Sequence, residues 1–255
     1  MLIEKSVFPE EIQKIIGNSP VETDDVGRSG ALVSFIGNDL VLKKTPKGKL
    51  QNAYHMQSFF HRHDLAPEVV FYLSEDFDYL ISEKALGKSA IDKENLRRPA
   101  ALAGALGEFL LKIHSLPIES CPIKNLTGNL FEEFDRSVQR NEGLYQHIAD
   151  YIHIRSVSEA IAAAESSRGR LKNDTVLHGD YCLPNVMLEN FAGKHVIDVG
   201  EGGVGDRHFD LFWGLWSLSY NLKTDAYRED FLTAYGKNRI ENDLIYACGC
   251  LCSPI

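Results

Sequence analysis

The chain has 255 residues, of which 44% are hydrophobic and 25% charged, and its formal net charge is -9. This length can bury a sizeable core in one domain or in two closely packed lobes. The excess of acid argues against a nucleic-acid partner. No apolar run reaches the roughly 20 residues of a membrane span, and the start of the chain lacks a signal-peptide pattern. These features predict a cytoplasmic protein without a membrane partner.

Strand patterns dominate the first third of the chain, after one short helix. The isoleucines of residues 9–17 share one helical face, and Gly17 is a helix stop. Apolar, β-branched runs at 30–36 and 40–43 flank Gly37-Asn38-Asp39, which predicts a hairpin. The next elements are expected in the order helix, strand, strand: 49–63, 69–73 and 79–82.

Beyond Gly87 the pattern becomes mainly helical. Long helices are predicted at 95–114 and 157–171, with three more from Phe209 to the end. One interruption, residues 176–198, reads as a loop followed by a short strand. We therefore expect an α+β fold with a small β-rich N-terminal lobe, residues 1–84, and a larger helical lobe, residues 85–255.

The most informative stretch is His178-Gly179-Asp180-Tyr181-Cys182-Leu183-Pro184-Asn185. An Asn five residues after an Asp, and a second Asp thirteen residues further on, reproduce the spacing of a kinase catalytic loop and its metal-binding Asp. Phosphoryl transfer needs a carboxylate that deprotonates a hydroxyl and oxygen ligands for Mg²⁺. We predict Asp180 as catalytic base, and Asn185 and Asp198 as magnesium ligands. A turn in which Asp180 and Asn185 only cap backbone groups is the alternative.

A kinase also needs groups that bind the phosphates of ATP. Lys43, at the end of the predicted strand 40–43, is the candidate cation, whereas Lys44 reads as a solvated strand residue. Before that strand, Ser29 and Gly30 in the loop 27–30 can offer a hydroxyl and backbone N–H groups to phosphate. An ordinary turn explains these glycines equally well. His178 is expected to hold the catalytic loop by hydrogen bonds.

With these residues assembled, the chain resembles the aminoglycoside phosphotransferase family, and its catalytic loop looks most like the 3'-phosphotransferase branch. Supporting motifs extend from about residue 29 to 232: Leu65-Ala-Pro67-Glu, Leu110-Leu-Lys-Ile-His114, and Gly205-Asp206-Arg207 with Asp210. The resemblance implies a protein-kinase-like fold and ATP or GTP as donor with Mg²⁺. It also implies an adenine hinge at Ser82 to Lys84 with Ile81 behind the base, and structural roles for Asp206 and Asp210.

The activity that the resemblance implies is transfer of the γ-phosphate to a hydroxyl of an aminoglycoside antibiotic or a related amino-bearing small molecule. Several departures bear on the acceptor. Glu201 stands where the branch has an arginine, and Asp150 is the one acid of residues 145–154, where the family's substrate loop is acid-rich. Both are candidate substrate residues. The alternatives are a kinase of another sugar or alcohol, and a nucleotide-binding protein without transferase activity.

A further departure concerns Lys43. The family orients this lysine with a glutamate from the following helix, yet residues 45–63 contain no carboxylate. Gln51 or His55 is the nearest substitute in the sequence.

Overall fold

The computed structural model describes residues 2–23 and 31–253. Within them, the N-terminal part is built on an antiparallel sheet with the strand order β1-β2-β3-β5-β4. Its strands are Val21–Thr23 (β1), Leu32–Ile36 (β2), Leu40–Pro46 (β3), Val69–Ser74 (β4) and Phe77–Glu83 (β5). The predicted hairpin is confirmed, because β2 and β3 pair across a turn in which Gly37 has a φ of 59°.

One helix lies on each face of this sheet. Helix α1 (Glu10–Ile16) buries Ile12 and Ile16 in a cluster with side chains of one sheet face, among them Leu42 and Ile81. Helix α2 (Gln51–His61) lies against the other face, where the Tyr54 ring stacks on Tyr72 at 4.8 Å. Both helices confirm the sequence prediction. Helix α1 covers the sheet face that carries Leu42 and Ile81, and α2 lies against the opposite face.

The remaining described chain is mainly helical. Its helices are Lys93–Leu96 (α3), Pro99–His114 (α4), Leu126–Gln139 (α5), Gln146–Ile152 (α6), Val157–Ser167 (α7), Arg207–Leu222 (α8), Arg228–Tyr235 (α9) and Asn242–Leu251 (α10). Its short strands are Lys88–Ser89 (β6), Thr175–Leu177 (β7), Val186–Glu189 (β8), Ala192–Val196 (β9) and Gly203–Gly205 (β10). They form two small antiparallel sheets, β6-β8-β9 and β7-β10.

Two helix predictions need correction, and one segment expected to be a loop contains a helix. The segment 95–114 is two helices rather than one, because Pro99 begins α4 and a residue before proline is pushed out of the helical region; Arg98 has φ -127° and ψ 65°. The helix predicted to reach residue 171 ends at Ser167. Residues 145–154, which we expected to be a loop, contain α6.

The five-stranded sheet ends at Glu83, and β6 joins the second part of the molecule at Lys88 through its pairing with β8. The observed architecture is the predicted bilobal α+β fold, with the crossing in residues 84–87. The exact division into lobes 1–84 and 85–255 stays a prediction. Among the described residues, no helix has the length and apolar character needed to cross a membrane.

Candidate active site

The loop after β7 turns sharply at Gly179. This residue has a φ of 88°, and a Cβ atom there would lie 2.0 Å from the carbonyl oxygen of Glu201. Only glycine fits both the backbone angle and this close approach. Gly179 therefore lets the chain carry Asp180 directly past the 3₁₀ turn Val199–Glu201.

Asp210 on α8 holds the backbone of the Gly179 turn. Its buried carboxylate accepts the backbone N–H groups of His178 (2.6 Å) and Gly179 (2.9 Å), and Nε2 of His114 lies 3.1 Å away. Asp206 accepts the His208 N–H and so caps the N-terminus of α8. The predicted structural roles of Asp206 and Asp210 are confirmed.

His178 links the catalytic loop to the strand that leads to Asp198. Its Nδ1 accepts the Asp180 N–H at 3.2 Å, so its proton is on Nε2, which donates to the Ile197 carbonyl oxygen at 3.0 Å. The Ile197 N–H in turn donates to the carbonyl oxygen of Asn185. The predicted positioning role of His178 is confirmed, and these bonds bring three predicted site residues together although they span residues 180–198.

Asp180 and Asn185 contact each other directly. The Asn185 side-chain nitrogen donates to Oδ2 of Asp180 at 2.8 Å and to its carbonyl oxygen at 3.1 Å. This leaves the amide oxygen of Asn185 as the atom available to a cation. The alternative in which both side chains only cap backbone groups does not describe this pair.

Lys43 on β3, in the N-terminal lobe, contacts the predicted metal ligand Asp198: its Nζ forms an ion pair with Oδ1 of Asp198. Asp198 has a φ of 58°, a left-handed conformation that Asp tolerates better than most residues. Gln51 and His55 do not replace the missing glutamate partner, since both are exposed on α2. Instead Ala53 faces this region, and a Cβ atom on Gly200 would lie 3.5 Å from its methyl group.

The donor set fits a magnesium ion. A carboxylate from Asp198 and an amide oxygen from Asn185 are hard oxygen ligands, and Mg²⁺ is usually held by one or two carboxylates together with substrate phosphates. Throughout residues 2–23 and 31–253, no cluster of three or more His, Cys, Asp or Glu side chains could form a complete protein cage for a metal. Such a sparse set suits an ion that arrives with a nucleotide.

The sheet face that carries Lys43 differs from the prediction at one position. Lys43 is directly opposite Leu80, and Val41 is opposite Ser82, so these side chains share one face. Ile81 has its side chain on the other face, in the cluster with Ile12 and Leu42. The expectation that Ile81 lies behind the base is therefore corrected: Leu80 and Ser82 face the Lys43 side.

The rest of the predicted nucleotide site is only partly described. At the end of the expected hinge, the Lys84 N–H donates to the Asp39 carbonyl oxygen at 2.7 Å, and the Lys84 ammonium lies 5.5 Å from the Phe35 ring centre. Ser29 and Gly30, which were predicted to bind the phosphates, lie outside the described residues. Phe35, missed by the sequence reasoning, shares the Lys43 face with Val41, its direct partner on β3.

Ser217 on α8 supports the other end of the catalytic loop, and the sequence gave no signal for it. Its hydroxyl accepts the Leu183 N–H at 2.9 Å, two residues before Asn185. Cys182, directly before Leu183, is partly buried near Asp180, and burial is the main cause that raises its thiol pKa far above the usual range. Cys182 therefore stays a neutral thiol.

The two candidate substrate residues are both exposed. Glu201 ends the 3₁₀ turn next to Gly179, so the structure brings it close to the catalytic loop. Asp150 lies on α6 and accepts a hydrogen bond from Gln146. The described contacts do not bring Asp150 together with Asp180; they connect α6 to α8, where Trp216 Nε1 donates to the His147 carbonyl oxygen at 3.3 Å.

Residues 25–244 match the model of the phosphotransferase enzyme family. The chain belongs to this family. A probable aminoglycoside 3'-phosphotransferase of Lactococcus lactis is 35% identical over 97% of this chain and 94% of its own length. An aminoglycoside 3'-phosphotransferase of Niallia circulans is 23% identical over 93% of this chain and 94% of its own. Family membership, predicted from the catalytic loop, is confirmed, and with it the class of a phosphoryl-transferring enzyme.

Solved structures agree on the fold. An aminoglycoside phosphotransferase from Streptomyces rimosus covers 98% of this chain and 97% of its own, with a TM-score of 0.78 and 21% identity. A second structure of that protein, with a TM-score of 0.77, is in complex with ADP and streptomycin. The protein-kinase-like fold expected from the resemblance is therefore confirmed.

Proposed function

We propose that this protein transfers the γ-phosphate of ATP to a hydroxyl of an aminoglycoside. The observation that carries the proposal is the convergence of Asp180, Asn185, Asp198 and Lys43 on one cleft, from a catalytic loop, a short strand and the opposite lobe. The relative from Lactococcus lactis, described as a probable aminoglycoside 3'-phosphotransferase, supports the acceptor class.

Asp180 has the role of the base in this mechanism. Its carboxylate accepts the proton of the acceptor hydroxyl as that oxygen attacks the γ-phosphorus, and the nucleoside diphosphate leaves on the opposite side. The hydrogen bond from Asn185 fixes the carboxylate in one rotamer. Positioning matters here because phosphoryl transfer requires little covalent work from the protein and depends on alignment and charge stabilisation.

Asn185 and Asp198 would hold Mg²⁺, which when bound neutralises charge on the β- and γ-phosphates. The ion pair with Asp198 keeps the ammonium of Lys43 at the same cleft, where it can donate to phosphate oxygens. Since Lys43 is on the sheet of one lobe and Asp198 follows a strand of the other, nucleotide binding joins the two lobes at this pair.

A phosphotransfer assay with Mg²⁺ tests the proposal directly. Purified protein is incubated with ATP or GTP in separate reactions, each with kanamycin, with a panel of neutral sugars and alcohols, or with no acceptor, and the phosphorylated product is identified by mass spectrometry. The proposal requires an aminoglycoside product. Phosphorylation of neutral acceptors alone would indicate a kinase of another sugar or alcohol. Nucleotide binding without any product would indicate a non-catalytic member of the fold.

A further inference from the structure

A series of aromatic rings in contact runs along α8 and onto α6. On α8, Trp213 and Trp216 have ring centres 5.5 Å apart, and Trp216 stacks on Tyr220 at 5.3 Å with an interplanar angle of 20°. This series of rings continues onto α6, because the His147 ring centre lies 6.0 Å from that of Tyr220. We call Trp216, Tyr220 and His147 the aromatic platform.

Helix α8, which carries Trp216 and Tyr220, contacts the catalytic loop. Ser217, the residue after Trp216, accepts the N–H of Leu183, three residues beyond Asp180. Tyr220 lies one helical turn from Trp216 and three residues beyond Ser217. The hydrogen bond from Trp216 to the His147 carbonyl oxygen holds α6 beside α8. The platform therefore lies on a helix that supports the loop of the proposed base.

Part of this surface is open and already holds a cation. Tyr220 is 41% exposed, and His147 is exposed as well. The ammonium of Lys223 lies 4.1 Å from the centre of the Tyr220 ring. The face of an aromatic ring attracts cations electrostatically, so an internal ammonium marks the position that a ligand ammonium can take.

The candidate substrate residues named from the sequence include two acids. Residues 145–154 carry one acid, Asp150, and Glu201 is the exposed acid next to Gly179. Two carboxylates cannot pair with every ammonium group of a polycationic acceptor, so other contacts must supply affinity. Flat aromatic rings supply it through apolar contact with the C–H face of a sugar ring and through cation–π attraction.

We infer that the aromatic platform binds the acceptor, with an amino-sugar ring against the face of Tyr220 that is not stacked on Trp216 and an acceptor ammonium over that face in place of Lys223. This inference rests on the proposed function, because it specifies how that acceptor is recognised. It assigns specificity to stacking on α8 and α6 rather than to a set of carboxylates.

The chain offers a built-in reporter for this binding. It contains two tryptophans, Trp213 and Trp216, and both lie in or beside the platform. Titration with kanamycin should therefore change the intrinsic fluorescence and give a dissociation constant without any turnover. The same titration with a neutral disaccharide gives the contribution of stacking without charge.

The decisive variant is Tyr220→Leu, with Tyr220→Phe as the conservative partner. Tyr246→Leu on α10 is the matched control, since Tyr246 is 39% exposed and belongs to none of the platform contacts described above. For Tyr220→Leu we expect the dissociation constant and the KM for kanamycin to rise about tenfold, as for loss of a cation–π and stacking contact. The kcat and the KM for ATP should stay within about twofold, because uniform binding is lost and the chemical step is untouched. Tyr220→Phe and Tyr246→Leu should match the wild type.

Lys223→Gln tests the competing cation. Removal of the ammonium from Tyr220 should tighten kanamycin binding and leave the neutral disaccharide unchanged. If the wild-type protein phosphorylates kanamycin while Tyr220→Leu binds it normally, the platform inference is wrong and the proposed function stands. If the wild-type protein neither phosphorylates nor binds any aminoglycoside, both fail together.

Discussion

Asp180 is positioned by backbone contacts to its neighbours as much as by its own side chain. Gly179 turns the chain beneath Glu201, His178 accepts the Asp180 N–H, and Asp210 holds the preceding peptides. The side chain itself meets Asn185. A substitution at Asp180 therefore removes the carboxylate and leaves the loop in place.

For Asp180→Ala we expect turnover to fall by roughly two to four decades, the usual contribution of a positioned base. Asp180→Asn should lose as much, because it keeps the shape and removes the proton acceptor. Nucleotide affinity should remain near wild type in both, since the phosphates are bound by other groups. Steady-state kinetics and a nucleotide titration measure the two effects. Turnover within about threefold of wild type would refute the assignment of the base.

Asn185 and Asp198 allow a test of the metal at the same scale. Asn185→Ala removes a neutral ligand and Asp198→Ala a charged one, so both should raise the magnesium concentration needed for half-maximal activity, Asp198→Ala by more. High magnesium should partly rescue Asn185→Ala. The measurement is activity against magnesium concentration for each variant. Losses that no magnesium concentration changes would indicate purely structural roles.

At the scale of elements, α2 is the part that departs from expectation. The sequence suggested Gln51 or His55 as the lysine partner, yet α2 turns both outward and brings Ala53 towards Gly200. The buried face of the helix, with Met56, Phe59 and Phe60, fixes its rotation. Lys43 takes Asp198 as its partner instead.

Ala53→Glu should supply the missing carboxylate on the correct side of α2. A partly buried partner restricts the rotamers of Lys43 and frees Asp198 for the metal, so we expect a lower KM for ATP, by about threefold for a contact worth less than 1 kcal/mol. Gln51→Glu and His55→Glu are the controls, since their exposed positions predict no change. A higher KM for ATP in Ala53→Glu would mean that the new carboxylate repels the phosphates and that Lys43 does not neutralise it.

Local patterns explain why so much of the architecture was predictable. The hairpin around Gly37 and the helix before Gly17 are determined by residues close in sequence, and the catalytic loop has a spacing that phosphoryl transfer imposes. The Lys43–Asp198 pair was not predictable, because its partners are 155 residues apart and meet only when the lobes pack. Ile81 was misassigned because a one-residue shift along a strand moves a side chain to the opposite face.

Helices α5 and α6 show a second limit. Helix α5 buries Phe131 and Phe134 and exposes most of its charged residues, a pattern that the sequence reasoning did not use. The segment 145–154 is short and has one acid. Helix α6 forms there because Ile148 and Ala149 are buried against the rest of the molecule. Tertiary packing decides such short segments, so their sequence alone is a weak guide.

At the scale of the whole molecule, His114 connects the catalytic loop to the helical core. Its Nε2 meets Asp210, which holds the loop, and its Nδ1 meets the Tyr235 hydroxyl at 2.8 Å. Burial, more than any neighbouring charge, lowers the pKa of His114 below its usual 6.5. Burial also raises the pKa of Tyr235 to about 12, so the hydroxyl stays protonated and donates to Nδ1. The neutral imidazole is thus the form that the folded protein stabilises.

This network should make stability depend on pH. Because the folded state binds the His114 proton more weakly than the unfolded state, its contribution is complete above about pH 6.5 and is lost as the pH falls towards the lower folded pKa. We expect the urea midpoint of unfolding to decrease between about pH 7 and pH 5. His114→Gln keeps a donor for Asp210 and an acceptor for Tyr235 but cannot titrate, so its midpoint should depend less on pH in this range. His195→Gln is the comparison, because burial also lowers the pKa of His195, which accepts the Leu86 N–H at the crossing between lobes. If the urea midpoint of His114→Gln kept the wild-type pH dependence while that of His195→Gln lost it, the pH dependence would arise at the crossing between lobes and not at the catalytic loop.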